Sequence, residues 1–311
     1  MQQKKMTVAL LAGGKSAERE VSLKSGDQVY QSLDKSRYDV IRYDPASELP
    51  ALARDAEKID VALIILHGRL GEDGTIQGML ESLGIPYQGS GVLGSAIAMN
   101  KILSKQLYTQ AGIPTPPYLV GDRLHPIGAS EIASRLGFPV VIKPEHEGSS
   151  IGLTIVKDPE KLKDAFDKAW QFDRRCLIEK YIPGKEITGS VLGNDELVAL
   201  PLIEIVPGEA YEYFDYAAKY TPGASSEICP ARISADLTAG CQDLSKRAHS
   251  ALLCRGYSRS DMILSGQDIW VLETNTIPGM TQTSLFPQAA AKAGIGFSEL
   301  MDRLIELALE K

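Results

Sequence analysis

The stretch WVLETNTIPGMT, Trp270 to Thr281, alternates like a strand and stops at Pro278-Gly279. Side chains two apart on a strand share a face, so Glu273 and Asn275 point the same way. Upstream, SRSDMIL (258–264) is a second run of strand character, and Gly266-Gln267-Asp268 between the two signals a turn. A hairpin centred on Gln267 sets Leu264 opposite Trp270, Asp261 opposite Glu273 and Arg259 opposite Asn275. Directly opposed Cβ atoms lie roughly 4.5–5.5 Å apart, and like charges there repel. Two carboxylates and an amide oxygen on one patch therefore point to a hard cation, Mg²⁺, Mn²⁺ or Ca²⁺. Few protein ligands, completed by water and phosphate, suit Mg²⁺ carrying a nucleotide. The same residues would also serve as ordinary acids on a solvated hairpin face.

Working outward, 311 residues are enough for two or three domains. A net charge of -7 argues against bulk nucleic-acid or anionic-membrane binding. Apolar runs such as VALIIL (61–66) are too short to span a bilayer. The basic start leads straight into TVALL and two glycines, which reads as a first buried strand rather than a signal peptide. Cys176, Cys229, Cys241 and Cys254 have no C-x-x-C spacing, as expected of reduced cysteines in the cytoplasm.

The first third alternates strand and helix: MTVALLAGG, then EREVSLKSGDQVYQSL, then short strands VIRYD, DVALIILHG and IPYQGSG. This is the pattern of parallel β-α-β units, in which ligands gather at the carboxyl ends of strands. The loops GGKSAEREVS (13–22) and HGRLGEDGTIQG (67–78) leave those ends. The middle, PVVIKPEHEGSSIGLTIV (139–156), is two strands joined by a glycine-serine loop. The final part is richer in strands and closes with FSELMDRLIELALEK, whose Phe297, Leu300, Met301, Leu304, Ile305 and Ala308 form one apolar stripe. The fold class is thus α/β, with α+β character in the later parts. An irregular segment of about 207–230 is long enough to be functional.

Gly148-Ser149-Ser150-Ile151-Gly152 offers backbone N–H groups to phosphate oxygens, with Lys143 nearby, although such hairpin tips are common. GGKS (13–16) imitates the end of a Walker A motif, but Ala9 stands where its earlier glycine is required. No G-x-G-x-x-G follows the first strand, so P-loop and dinucleotide readings are poor.

Taken together, the chain resembles the D-alanine–D-alanine ligases of the ATP-grasp superfamily. HGRLGEDGTIQG and GYSRSDMIL…WVLETNTIPGM are similar to that family's two signatures. AGGKSAEREVSLKSG, KPEHEGSSIG, LIEKYIPGKE and AAKYT fall in the expected order between and around them. The resemblance implies an ATP-grasp fold with a Rossmann-like amino-terminal domain (1–101), a central lid domain with the glycine-rich loop (102–187) and a carboxyl-terminal domain with the metal and substrate site (188–311). It implies ATP-driven joining of two D-alanines through an acyl phosphate for peptidoglycan precursors. Asp261, Glu273 and Asn275 would hold two Mg²⁺, with Mn²⁺ able to substitute.

The resemblance assigns ATP contacts to Lys101, Lys143, Ser150, Glu179, the hinge residues Lys180 and Ile182, and Glu186. Glu18 and His67 would meet the first D-alanine. Lys219, Ser284 and Leu285 would receive the carboxylate of the second. Arg259 and the Gly279 N–H would surround the developing oxyanion. Glu18, Ser149 and Tyr220 would form a hydrogen-bonded latch. Lys219-Tyr220, where D-lactate-using relatives carry a histidine, favours D-alanine as second substrate. A cytoplasmic homodimer without nucleic-acid or membrane partners is also implied. Another ATP-grasp ligase would differ at Glu18, His67, Lys219 and Tyr220, and a silent binding protein would lose Arg259 or a metal ligand.

Two positions depart from the family. Ser260 stands where a small apolar residue is usual and Thr274 where an apolar one is, which puts the burial of that face in doubt. In the register above they are cross-strand partners, and a hydrogen bond between them is expected.

Overall fold

The computed structural model describes residues 4–208 and 225–310. The amino-terminal sheet is parallel, with β1 (Met6–Ala12) between β2 (Tyr38–Tyr43) and β3 (Val61–Ile65). All of β3 is buried, as a strand covered on both faces must be. IPYQGSG does not add a fourth strand and contributes one bridge, Ala62 to Tyr87. The reason is local. The Gln88 side chain takes the place of a strand backbone, accepting from Ile64 N and donating to Ile64 O, both at 2.8 Å.

The two faces of this sheet bury different elements. Ala9, Leu11, Ala62 and Ile64 pack with α2 (Leu49–Asp55) and α3 (Thr75–Ser82). Val8, Leu10, Leu63 and Ile65 share a core with the last helix, whose stripe Leu300, Met301, Leu304, Ile305 and Ala308 is buried as expected. Tyr38 OH donates to Asp302 at 2.8 Å, tying this helix to β2.

The middle region is an antiparallel four-stranded sheet. Its β4 (Tyr118–Asp122) and β5 (Val140–Pro144) flank β7 (Arg175–Lys180), and β6 (Thr154–Val156) lies outside β5. A six-stranded sheet follows, ordered β11-β10-β8-β12-β13 with β9 paired to β8. Its strands are β8 (Lys185–Leu192), β9 (Val198–Ala199), β10 (Ile203–Pro207), β11 (Ser225–Ile228), β12 (Tyr257–Ser265) and β13 (Asp268–Asn275). All four cysteines are free. Among the described residues no helix is long and apolar enough to cross a membrane.

The β12–β13 hairpin corrects one expectation. At the site end Arg259 pairs with Asn275, Ser260 with Thr274 and Asp261 with Glu273. At the turn Ser265 pairs with Asp268 and Ile263 with Trp270, so the turn is Gly266-Gln267 and Leu264 faces Ile269. Gly266 takes the left-handed φ of 64° that such a turn favours. The one-residue difference is absorbed by a bulge at Leu272. A bulge leaves consecutive residues without the usual alternation, and here Leu272 and Glu273 line the same pocket.

Candidate active site

Three structural segments bring charge to one cleft. The hairpin supplies Arg259, Asp261, Glu273 and Asn275 on a single face. Arg259 donates to both Asp261 oxygens at 2.9 and 2.8 Å, and Asn275 Nδ2 donates to Asp261 at 3.2 Å. Burial works against the Arg259 charge, but Asp261 and Glu273 outweigh it and raise its pKa. Lys101 Nζ lies 3.7 Å from Glu273 and donates to Glu147 O at 2.6 Å. Lys101 opens α5 (Lys101–Gln110), which is capped by Asn100 accepting from Leu103 N at 2.9 Å.

The second segment is the glycine-serine loop. Ser149 and Ser150 both adopt left-handed φ values, 47° and 59°. Such conformations cost about 1–3 kcal/mol each and collect at functional sites. Ser149 Oγ donates to Glu18 at 2.5 Å, joining the loop to the start of α1 (Arg19–Ser32). Glu18 is buried there, in the loop that leaves the carboxyl end of β1.

The third is a buried charge cluster behind the loop. Glu179 is 1 % exposed. One of its oxygens meets Lys143 at 2.6 Å and the other meets Lys105. Burial disfavours the Glu179 carboxylate, but the two lysines outweigh it and hold its pKa below the usual range. Burial pushes Lys105 down to about 8. Lys180, Ile182 and Glu186 follow Glu179 around a pocket also lined by Lys101, Lys143 and Ser150. The Lys180 N–H is itself taken by Pro117 O at 2.9 Å.

This pocket continues into a second one through Glu273, Gly148 and Ser149. The second is lined by Glu18, His67, Arg259, Gly279, Ser284 and Leu285 among others. Ser284 and Leu285 open α9 (Leu285–Lys292) as its cap and first residue. A Cβ at Gly279 would come to 3.0 Å from Ser284 Oγ, which accepts from Thr281 N at 3.1 Å, so a side chain there would press on the opening of the following helix. Lys219 and Tyr220 lie outside the described residues.

Three residues that the sequence reading did not single out stand in this cleft or directly behind it. Glu72 lies 3.5 Å from His67 Nδ1 and accepts from Gly68 N at 3.1 Å. Burial pushes the Glu72 carboxyl up. It also works against the His67 charge, but Glu72 and Glu18 outweigh it and raise the His67 pKa. Lys105, four residues after Lys101, shares its helix face, a spacing visible in MNKILSKQL. Glu227 reaches the second pocket from β11. Nothing in SSEIC signals that role.

On the opposite face of the hairpin, Ser260 Oγ and Thr274 Oγ1 are 2.8 Å apart, and Tyr108 OH donates to Thr274 at 2.7 Å. Ser260 and Thr274 are 0 % and 3 % exposed. The polar substitutions therefore do not loosen this face.

The donor set fits a divalent cation. Asp261 and Glu273 are cross-strand partners, and their negative charge is met here by Arg259, Asn275 and Lys101. Among the described residues no three His, Cys, Asp or Glu side chains form a closed metal cage. A hard cation held here would share its shell with ligand oxygens.

Comparison with known proteins agrees with this geometry. The family model "D-ala D-ala ligase C-terminus" matches residues 107–306, and "D-ala D-ala ligase N-terminus" matches 7–49 and 43–90. A D-alanine–D-alanine ligase of Syntrophobacter fumaroxidans is 72% identical over 310 residues, covering 100% of both chains. One from Desulfotalea psychrophila is 52% identical over 317 residues, covering 99% of this chain and 96% of its own. A crystal structure of the Bacillus anthracis D-alanine–D-alanine ligase complexed with ATP superposes with a TM-score of 0.86 at 37% identity, covering 98% of this chain and 97% of the other. With its fold, the order of its loops and matches along nearly its whole length in agreement, this chain belongs to the D-alanine–D-alanine ligase family of ATP-grasp proteins.

Proposed function

We propose that the chain joins two D-alanine molecules to D-alanyl-D-alanine at the expense of ATP, releasing ADP and phosphate, in the cytoplasm and for peptidoglycan precursors. The observation that carries this reading is the continuity of two pockets. One is lysine-lined and backed by the glycine-serine loop, the other is acid-lined, and they meet at Glu273, Gly148 and Ser149.

A carboxylate is a poor electrophile, so it is first phosphorylated. The amine of the second D-alanine then attacks the acyl phosphate carbonyl. A C–N bond forms, the C–O bond to phosphate breaks and the amine loses a proton. Lys101, Lys143 and the backbone of Ser149 and Ser150 would hold the nucleotide phosphates. Glu179, held in place by Lys105 and Lys143, would bind near adenine together with the backbone of the hinge residues Lys180 and Ile182, and Glu186 would bind the ribose. Glu18 and His67 would take the ammonium end of the first substrate. Arg259 and the Gly279 N–H would stabilise the oxyanion. Lys219, Ser284 and Leu285 would receive the second carboxylate. The Glu18–Ser149 hydrogen bond supports a latch that Tyr220 would extend, excluding water from the acyl phosphate. Asp261, Glu273 and Asn275 would hold two Mg²⁺, replaceable by Mn²⁺, whose chemistry is to neutralise charge during phosphoryl transfer.

We assign residues 1–101, 102–187 and 188–311 to the amino-terminal, lid and carboxyl-terminal domains, and a homodimer as the working assembly. The test is phosphate release from Mg-ATP with D-alanine, L-alanine, D-serine and D-lactate, products identified by mass. Release that requires D-alanine and yields the dipeptide is expected. Absence of turnover in folded protein overturns the reading.

A further inference from the structure

Joining two amino acids requires two places for an ammonium group. The substrate pocket is lined by four carboxylates, Glu18, Glu72, Glu227 and Glu273. Glu18 and Glu72 are grouped around His67, and Glu273 faces Lys101. Glu227 stands apart from these, with Arg259 as its charged neighbour. Glu227 sits on the edge strand β11, opposite Ile205 of β10, and lines the pocket together with Arg259, Gly279, Ser284 and Leu285.

Its orientation is held. Gln288, one turn into α9, donates from Nε2 to Glu227, and the same amide donates to Thr283 O at 2.7 Å. That second bond ties the clamp to the loop leading into Ser284. The carboxylate is thereby set beside the residues that would receive the second substrate, at a fixed distance from the helix opening. Burial pushes its pKa up, against the Gln288 hydrogen bond and the Arg259 charge, so an arriving cation would relieve an unfavourable position.

We propose that Glu227 receives the ammonium of the second substrate and so makes this subsite select an amine over a hydroxy acid. The proposal rests on the ligase reading above. A charge-assisted hydrogen bond to ammonium is stronger than one to a hydroxyl, and a half-buried carboxylate such as Glu227 gains less from a hydroxyl than from a cation.

The test uses the full chain with Mg-ATP, comparing Glu227→Gln with the parent. D-alanine and D-lactate compete as acceptors, and the KM of each D-alanine site is measured. The expected result is a rise of about tenfold in the second-site KM and an equal fall in the ratio of dipeptide to depsipeptide. The KM values for ATP and for the first site stay within about twofold, which a merely structural role would not allow. Glu227→Asp should restore part of the ratio. Gln288→Leu, which keeps the carboxylate but frees it, should shift the ratio the same way and serves if Glu227→Gln does not fold. An unchanged second-site KM and ratio in active Glu227→Gln, or in active Gln288→Leu where the first does not fold, overturns the role of Glu227 alone. Absence of D-alanine-dependent phosphate release by the parent overturns the ligase reading and this proposal together.

Discussion

The two faces of the β12–β13 hairpin are built from the same strands and held in opposite ways. One face carries Arg259, Asp261, Glu273 and Asn275, linked by charge-assisted bonds and met by Lys101. The other carries neutral pairs: Ser260 with Thr274 and Tyr108, and Ser258 Oγ 2.8 Å from His249 Nδ1. The hidden face settles its hydrogen bonds inside the fold. The open face sets its charges against one another and against Lys101, on the wall of a pocket. A strand pair can therefore present repelling carboxylates because the reverse side clamps the register in which they stand.

The sharpest way to break this division is Arg259→Lys. It keeps a charge but loses the fork that grips Asp261. Turnover should fall about 100- to 1000-fold while thermal unfolding changes little. Activity within threefold of the parent would remove Arg259 from the transition state.

On the hidden face the effects should reverse. Thr274→Val strips the acceptor from the fully buried Tyr108 hydroxyl and breaks the bond to Ser260. A stability loss of up to about 3 kcal/mol is expected, with turnover preserved. Urea unfolding and steady-state rates, measured together, decide this.

A pH effect should come next. Burial holds His249 down from 6.5 to about 4. Below pH 6.5 the unfolded chain takes up a proton that the folded chain refuses, so stability is complete above that value and falls with acidification. Between pH 7 and 5 the loss is about 2 kcal/mol. His249→Gln should flatten that part of the profile, and an unaltered slope would show that other groups carry it.

The smallest effect belongs to Ser260→Ala, about 1 kcal/mol, because Thr274 keeps its bond from Tyr108. A loss as large as that of Thr274→Val would mean the three hydroxyls act as a single network rather than as separable pairs.

Much of the site was legible because its chemistry is local. Strand alternation put Glu273 beside Asn275, and a turn signal put Asp261 opposite Glu273. The register error at the turn arose because a bulge leaves no pattern in composition. The missing strand at IPYQGSG has a similar origin: Gln88 replaces backbone pairing with a side-chain amide, which hydrophobic alternation does not report. Lys105 had a spacing signal, but its use depends on Glu179, far along the chain. Glu72 lay inside the loop already singled out, five residues after His67, yet only folding brings its carboxylate to that imidazole.

By itself, then, the sequence determined the elements whose causes lie within a few residues: buried parallel strands, the glycine-serine loop, the charged face of the hairpin and the stripe on the last helix. Tertiary structure decided what each of these meets. The stripe predicts burial, but only the fold carries the last helix back onto the amino-terminal sheet, where Leu304 and Ile305 share a core with Val8 and Leu63. The same long-range closure sets Ser149 against Glu18 and Lys105 against Glu179. Hydrophobic burial is non-directional, so a periodic pattern specifies that a face is covered and leaves its partner to the packing of the whole chain.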